Sequence, residues 1–305
     1  MQHNGDHGVY KKGDIRMKNL VWLVSYPKSG STWFRVFLTN YLNNKEEPVT
    51  LKELVKLEKI GSTLVASDAV LFEEITGLNP FEMPPDEVAA YRPDIYRFIS
   101  DKTKNINYIK IHDAYVLNKE EKSLFPSDIS RAAVYFVRNP LDVCVSYSNH
   151  SATEIEIAIN FLLNETAKIA VYMGGPQRQV LLSWKGHVES WRNQKAIPIH
   201  FVRYEDMKQN PIQAFRSVIQ FLELEYDEER LIRSIRHSDF KLLQQMEIKN
   251  GFNEKMQLCE SFFWKGEIGN YRNHLSEKEI QRIVNYNFDT MKTFGYIDSD
   301  NQLTI

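Results

Sequence analysis

A short apolar run that stops abruptly at a polar loop restricts the choice of fold. Residues 19–26 contain the uninterrupted run Leu-Val-Trp-Leu-Val, which is typical of a strand buried on both faces of a sheet. The run ends at Pro27-Lys28-Ser29-Gly30, and apolar pairs then recur at helical spacing at positions 33–34, 37–38 and 41–42. A strand, a short polar loop and a helix in this order predict an α/β protein.

Three later segments also have the pattern of strands. Residues 107–112 alternate between two faces, and residues 131–138 are apolar without a break, which indicates a buried parallel strand. Residues 197–204 form the fourth predicted strand, just before a helical stretch at 211–224. These segments predict a central, mostly parallel sheet flanked by helices.

The strands are spread along the chain without a linker between them. Helical or irregular insertions lie between these elements or after them, at about 45–104, 150–195 and 226–262. We therefore expect one α/β domain at residues 19–305 with helical insertions. The polar start of the chain, residues 1–18, is expected to be a disordered tail.

The composition disfavours several classes of protein. Lys and Arg number 38 against 40 Asp and Glu, a net charge of −2, which lacks the broad basic footprint of a nucleic-acid-binding protein. No apolar run approaches the ~18–20 residues of a membrane span. The two cysteines form neither a disulfide framework nor a zinc pattern. We expect a cytoplasmic protein with no nucleic-acid partner, no membrane span and no metal site.

The loop at 26–33 has the features of a phosphate site. The first N–H groups of the following helix have no acceptor within the helix, and that end of its dipole is positive. Lys28 adds a point charge, Ser31 and Thr32 add hydroxyl donors, and Trp33 offers a flat face to a base. A Walker P-loop has two glycines with Lys after the second, whereas Lys28 precedes the single glycine of this loop. The strand, loop and helix form a P-loop-like site, but an ordinary kinase or ATPase is disfavoured.

The eight residues at 26–33 also carry a resemblance to a known family. Their order, Tyr-Pro-Lys-Ser-Gly-Ser-Thr-Trp, resembles the Tyr-Pro-Lys-Ser-Gly-Thr-Thr-Trp loop of the sulfotransferases that use 3′-phosphoadenosine 5′-phosphosulfate (PAPS). In that family the loop binds the 5′-phosphosulfate end of PAPS. The resemblance implies donor contacts at six positions, which are Lys28, Ser29, Gly30, Ser31, Thr32 and Trp33.

The segment from Arg138 to Ser146 resembles the family's Arg-Asn-Pro-x-Asp-x-x-Val-Ser motif, which holds the 3′-phosphate of PAPS. Arg138 stands at the carboxyl end of a predicted strand, and Ser146 lies one helical turn from Asp142, so that both are expected to reach one phosphate. Asn139 is the expected N-cap of this helix and Pro140 its first residue, with Asp142 as the acid of a capping box.

Residues 262–271 are similar to the family's Arg-Lys-Gly-x-x-Gly-Asp-Trp segment, with two departures. Trp264 stands where the family has a phosphate-binding Arg, and Asn-Tyr replaces Asp-Trp. We expect this segment to cover the 3′-phosphate through Trp264, Lys265 and Gly266, either with one cation fewer or with Arg272 in its place.

Three further segments correspond to family motifs. Two of them lie beside the adenine of PAPS in the family, and the third contains the general base. Tyr204 resembles a family Tyr that contacts the adenine, and Ser238 and Phe240 match a Thr-Ser-Phe-Lys stretch beside the same ring. Lys110-Ile111-His112 matches the family's Lys-x-His, in which the histidine deprotonates the acceptor. Because strand residues alternate between faces, Lys110 and His112 lie on the same face.

The resemblance covers about residues 20–275 and implies in-line sulfuryl transfer from PAPS to a small-molecule acceptor, with release of PAP. It implies three catalytic residues: His112 as general base, Lys28 at the leaving phosphate, and Lys110 beside them. Two alternatives stay open, a nucleotide kinase or NTPase and a non-catalytic nucleotide-binding protein. The sequence also leaves open the oligomeric state and whether the acceptor atom is a hydroxyl oxygen or an amine or guanidine nitrogen.

Overall fold

A sheet of five parallel strands lies at the centre of the described chain. The computed structural model describes residues 17–54, 63–66, 68–118, 120–170, 178–256 and 258–305. Its strands are β1 (Leu20–Ser25), β2 (Thr63–Val65), β3 (Asn107–Ile111), β4 (Ser130–Val137), β5 (Lys168–Ala170), β6 (Arg178–Val180) and β7 (Ile199–Arg203). The order across the sheet is β2–β3–β1–β4–β7, and every neighbouring pair is parallel. β5 and β6 form a separate antiparallel pair.

Helices connect these strands and cover both faces of the sheet. They are α1 (Ser31–Asn43), α2 (Ala69–Thr76), α3 (Pro85–Lys102), α4 (Pro140–Ser151), α5 (Ile155–Leu162), α6 (Trp184–Asn193), α7 (Tyr204–Gln209), α8 (Pro211–Phe221), α9 (Glu228–His237), α10 (Phe240–Asn250) and α11 (Glu277–Thr293). The predicted α/β class, a mostly parallel sheet flanked by helices, is confirmed.

The central strand β1 divides the core into two layers. Leu20, Trp22 and Val24 pack into one hydrophobic cluster, whereas Val21 and Leu23 pack into another. This division follows from the alternation of side chains along a strand. Both faces of β1 are buried, so the apolar run was correctly predicted to be a strand enclosed on both sides.

The structure differs from the sequence prediction in its short elements. The three-residue strand β2 and the β5–β6 pair lie in segments predicted to be helical or irregular. Strands of three residues are too short to show a period of two, which explains why they escaped prediction. The predicted tail at 1–18 lies outside the described residues except for Met17 and Lys18.

The start of α4 is capped in part as predicted. Asn139 accepts a hydrogen bond from the Leu141 N–H, and Pro140 opens the helix. The prediction that Asp142 completes a capping box is wrong, because the Asn139 N–H donates to Glu205 Oε1 at 3.0 Å instead. The Asp142 carboxylate holds a distant segment, as described below.

The carboxyl ends of four sheet strands open on one edge of the sheet. The loop after β1, His112 after β3, Arg138 after β4 and Tyr204 after β7 all line a single cavity there. This is the edge at which parallel α/β sheets bind ligands. None of the described helices is long and apolar enough to cross a membrane.

Candidate active site

The loop between β1 and α1 turns through two residues with left-handed backbone. Lys28 has φ 68° and Gly30, the N-cap of α1, has φ 94°. A Cβ on Gly30 would lie 2.6 Å from Cδ2 of Tyr204, so no larger residue fits without displacing that ring. The loop thereby presents Lys28 and the N-terminus of α1 to the cavity, where an anion is favoured.

The cavity has a volume of 540 Å³. It brings together most of the residues that the sequence marked as catalytic or donor-binding. Those that line it are Lys28, Gly30, Ser31, Thr32, Trp33, Lys110, His112, Arg138, Ser146, Tyr204, Phe240, Trp264, Lys265 and Gly266.

Two predicted donor contacts, Ser29 and Ser238, lie outside the cavity lining. Ser29 is buried, and its hydroxyl has no hydrogen-bond partner among the described residues. The Ser238 hydroxyl donates to the Ser234 and Ile235 carbonyls at the end of α9. The Ser238 carbonyl instead accepts a 2.7 Å hydrogen bond from Trp33 Nε1, so Ser238 holds a cavity residue in place. This geometry does not support a direct contact between the Ser238 hydroxyl and PAPS.

Lys28 places a cation within the turn itself. Its ammonium lies 4.0 Å from the centre of the Phe262 ring, an arrangement in which the ring face attracts the charge. Burial, together with the neighbouring charges of Arg138 and Lys110, lowers the pKa of Lys28 to about 8. Lys28 is therefore mostly charged at neutral pH.

His112 is held in one tautomer by the strand beside it. Its Nδ1 lies 2.6 Å from the Ser25 carbonyl oxygen, and a carbonyl oxygen only accepts, so we assign the ring proton to Nδ1. The other nitrogen, Nε2, is then the acceptor of the neutral ring. Burial and the Lys110 ammonium lower the pKa of His112 to about 3, so the ring is neutral at physiological pH.

The backbone at His112 is fixed from two further sides. His187 Nε2 donates to the His112 carbonyl at 3.0 Å, and Gln179 Oε1 accepts from the His112 N–H at 2.9 Å. His187 is fully buried in α6. These contacts hold the His112 ring at the cavity wall.

Arg138 joins the phosphate loop to the segment at 262–271. Its guanidinium donates to the Lys28 and Glu267 carbonyls, each at 3.1 Å, and its Cζ lies 4.3 Å from the centre of the Tyr204 ring. Its Nε is buried and has no hydrogen-bond partner among the described residues. A buried cation with an unused donor at the cavity fits an anionic ligand.

The segment at 262–271 is fastened to α4 by Asp142, whose carboxylate accepts from the Gly269 and Tyr271 N–H groups at 2.8 and 3.0 Å. Lys265 Nζ donates to Asn270 Oδ1 at 3.2 Å. Arg272 is exposed, stacks on the Tyr271 ring and does not line the cavity. Of the two expectations for Trp264, the geometry therefore favours one cation fewer over a substitution by Arg272.

His150 and Glu254 are among the polar residues of the cavity that sequence reasoning did not assign to the site. His150 stands four residues after Ser146 on α4, and burial with the charges of Lys28 and Lys110 lowers its pKa to about 3. Its helical spacing from Ser146 was a usable signal. Glu254 follows α10 in a segment without a regular pattern, so only the folded chain reveals it.

This arrangement defines a class of site. Cations, a helix N-terminus and a neutral imidazole surround one cavity at the carboxyl edge of a parallel sheet. Such a site binds an anionic nucleotide and places a base beside it. Within the described residues no group of three or more His, Cys, Asp or Glu side chains is placed to hold a metal ion.

Comparison with known proteins identifies the family. The family model described as "Sulfotransferase domain" matches residues 18–295, and the chain belongs to this family. Sulfotransferase 1B1 of Mus musculus is 23% identical over 267 residues, which cover 86% of this chain and 79% of that protein. Cytosolic sulfotransferase 12 of Arabidopsis thaliana is 26% identical over 286 residues, covering 87% of this chain and 76% of that protein.

A solved structure shares the fold. Retinol dehydratase in a complex with retinol and PAP aligns with a TM-score of 0.59 at 18% identity, covering 90% of this chain and 82% of that one. The family resemblance predicted from the sequence is thus confirmed, and with it the enzyme class of a PAPS-dependent sulfotransferase. The kinase and non-catalytic alternatives are not favoured.

Proposed function

We propose that His112 is the general base with which this enzyme transfers a sulfuryl group from PAPS to a hydroxyl, amine or guanidine group of a small acceptor. The observation that carries the proposal is the 2.6 Å contact between His112 Nδ1 and the Ser25 carbonyl. It fixes the proton on Nδ1 and leaves Nε2 free to accept the proton of the acceptor. The product nucleotide is PAP.

We call the part of the cavity around the phosphate loop and Arg138 its donor half, and it suits the two charged ends of PAPS. PAPS supplies an activated sulfuryl group whose leaving oxygen gains negative charge during transfer. Lys28 and the N-terminus of α1 would hold the 5′ end, where Ser31 and Thr32 also lie. Arg138 would hold the 3′-phosphate together with Ser146, because its Nε is an unused buried donor. Preorganised donors of this kind are worth roughly 3–4 kcal/mol each in the best-measured cases.

The aromatic residues of the donor half would hold the adenine and close the site. The Tyr204 hydroxyl donates to the Gly266 carbonyl at 2.9 Å, which ties the end of β7 to the segment at 262–271. Trp33 and Phe240 also line the cavity, and the centre of the Trp33 ring lies 6.0 Å from that of the Tyr204 ring. We assign the base pocket to Trp33, Tyr204 and Phe240, with Trp264, Lys265 and Gly266 covering the 3′ end.

We assign the acceptor-binding part of the cavity to residues from the three insertions. Val65 and Val70 come from the first insertion, Ile169 and Gln179 from the second, and Met256 from the third. Their mostly apolar surface suits a small molecule that carries one reacting polar group. The relative that was solved with retinol and PAP holds a molecule of this kind. Glu154 and Glu156, acidic residues of the second insertion, do not line the cavity.

The proposal is tested by incubating the purified protein with PAPS and a panel of phenols, alcohols, amines and guanidines, with PAP release as the readout. We expect PAP release with at least one acceptor and no dependence on added metal ions. ATP turnover with Mg²⁺, and no PAP release with any acceptor, would contradict it. Tighter binding of PAP than of adenosine 5′-monophosphate in a titration would support the assigned 3′-phosphate site.

The cysteines, the net charge and a named relative support a proposal about cellular location and partners. We propose a cytoplasmic location, because both cysteines are free and buried and a relative is named as cytosolic. No nucleic-acid partner is proposed, because the net charge is −2. Detection of the protein in the secreted fraction of the source cells would contradict this location.

A further inference from the structure

One carboxylate outside the assigned machinery contacts three elements of the site. Glu254 lies in the segment after α10, and its Oε1 accepts from Arg35 Nη1 of α1 at 2.5 Å. Its Oε2 accepts from Lys110 Nζ of β3 at 2.6 Å and from the Thr32 hydroxyl at 3.4 Å. The Glu254 side chain thus connects the segment after α10, which lines the acceptor-binding part of the cavity, to the Lys110 ammonium and the Thr32 hydroxyl.

The charged groups of this bridge are largely buried. The side chains of Arg35, Lys110 and Glu254 are 0%, 11% and 14% exposed, so removing one partner leaves a costly buried charge. Burial alone would raise the pKa of Glu254, but Arg35 and Lys110 hold it well below its usual range.

Several groups face the Lys110 ammonium from the surrounding elements. Arg35 on α1 and Glu254 act on Lys110 with opposite signs. Lys28 on the phosphate loop, His112 after β3 and His150 on α4 feel its charge. The net effect of burial is to lower the pKa of Lys110, and Glu254 opposes that effect.

We propose that Glu254 is a positioning residue: it accepts a hydrogen bond from the Lys110 ammonium and holds that group toward the sulfonate end of the donor site, with Arg35 as its fixed support. Through Asn253 and Met256, its neighbours in the cavity lining, it also fixes the acceptor wall relative to that cation. The catalytic consequence rests on the proposed function, whereas the effect on Lys110 does not.

The first experiment measures the ionisation of Lys110 without any turnover. The protein is labelled with limiting acetic anhydride at a series of pH values, and acetylation of Lys110 is followed by mass spectrometry, with exposed Lys122 as the reference. In Glu254→Gln the labelling midpoint of Lys110 should fall by about one pH unit or more, because the carboxylate that accepts its hydrogen bond is lost. In Arg35→Gln the midpoint should rise, because a nearby cation is removed.

The two variants break the same ion pair, so a mere loosening of the segment would move both midpoints in the same direction. Opposite shifts support the proposal, and an unmoved midpoint in Glu254→Gln or equal shifts overturn it. If Arg35→Gln does not fold, the comparison is made with Glu260→Gln, an exposed carboxylate of the same segment. That control should leave the midpoint where it is in the wild type, and a fall matching that of Glu254→Gln overturns the proposal.

The second experiment measures turnover and PAP affinity in Glu254→Gln. We expect kcat to fall by about tenfold or more, while the Kd for PAP, which lacks the sulfonate, stays within about threefold. Unchanged kcat overturns the catalytic part of the proposal. If the wild type itself releases no PAP from PAPS with any acceptor, the proposed function fails, and the labelling experiment still decides the effect on Lys110.

Discussion

Backbone carbonyls hold two neighbouring histidines, one after β3 and one on α6, in opposite tautomers. His112 donates from Nδ1 to Ser25, whereas His187 donates from Nε2 to the carbonyl of His112. The Tyr135 hydroxyl lies 2.7 Å from His187 Nδ1 and donates to it. Because each ring proton has a fixed acceptor, neither ring can exchange tautomers without breaking a buried hydrogen bond. The proposed base, His112, therefore has Nε2 available before the sulfuryl acceptor binds.

Replacement of His112 by glutamine separates the chemical role of the ring from nucleotide binding. The glutamine amide has no basic nitrogen, so in His112→Gln we expect kcat to fall by about 100-fold or more. The Kd for PAP should stay within about threefold, because the assigned donor contacts are unchanged. Single-turnover assays and a PAP titration measure the two quantities. Turnover equal to that of the wild type would exclude His112 from proton transfer.

We predict that Lys28 sets an upper pH limit for activity. Its pKa of about 8 means that the ammonium loses its proton as the pH rises through that value, and with it the charge proposed to meet the leaving phosphate. Lys28→Arg keeps a cation throughout this range, so the alkaline decline of kcat/KM should move to higher pH. Lys241→Arg, at an exposed position of α10, should leave the decline in place. A decline that Lys28→Arg does not move would place the limiting group elsewhere.

At the scale of elements, the predictable part of the site is its local part. β1, the phosphate loop and α1 are contiguous, and their apolar runs and the single loop glycine predict both their structure and their role. The contact of Arg35 with Glu254 joins residues 219 positions apart, and no local pattern marks it. The Asp142 carboxylate illustrates the same limit, because its partners lie 127 and 129 positions along the chain. The local sequence predicted that Asp142 caps α4, whereas in the folded chain its carboxylate binds the backbone of the segment at 262–271.

The close packing of the segment at 262–271 against Phe240 requires a glycine at position 266. Alanine substitutions at Gly266 and at the control position Gly251 test whether this packing matters for PAP binding. Gly266 has φ 63°, and a Cβ there would lie 2.6 Å from the Phe240 ring, whereas Gly251 has φ 68° with nothing within 4 Å among the described residues. Alanine at either position costs about 1–2 kcal/mol of backbone strain. Only Gly266→Ala should also displace Phe240 and weaken PAP binding, by about tenfold. Equal PAP affinity in the two variants would show that the close approach has no part in binding.

At the scale of the whole molecule, the two core layers extend over almost the full described chain. The cluster on one face of the sheet contains residues from Leu20 to Ile297, and the Tyr271 hydroxyl donates to the Ile305 carbonyl at 2.7 Å. We propose on this basis that residues 19–305 fold as one domain. The sequence predicted the strands of this sheet but not β2 at its edge, because three residues carry too little pattern. Buried polar groups within these layers connect the folding of the molecule to pH.

Three histidines, of which His187 is fully buried and His112 and His150 are half-buried, predict that the protein loses stability in mild acid. Burial lowers the pKa of His187 to about 4 and, together with nearby lysines, the pKa of His112 and His150 to about 3. The unfolded chain takes up these protons near its ordinary pKa of about 6.5, and the folded chain does not, so the free energy of unfolding falls as the pH drops below about 6.5. Each histidine contributes at most about 1.4 kcal/mol per pH unit. Glu205, whose pKa is raised by burial, opposes this trend with one carboxyl.

Urea unfolding between about pH 7.5 and about pH 5 measures this slope. His187→Gln should flatten it, even though the loss of the Tyr135 contact lowers stability at neutral pH. His274→Gln, at an exposed position, should keep the slope of the wild type. A free energy of unfolding that stays level or rises toward pH 5 would mean that the folded protein protonates these rings as readily as the unfolded chain does, and the neutral His112 on which the proposed base depends would then lose its support.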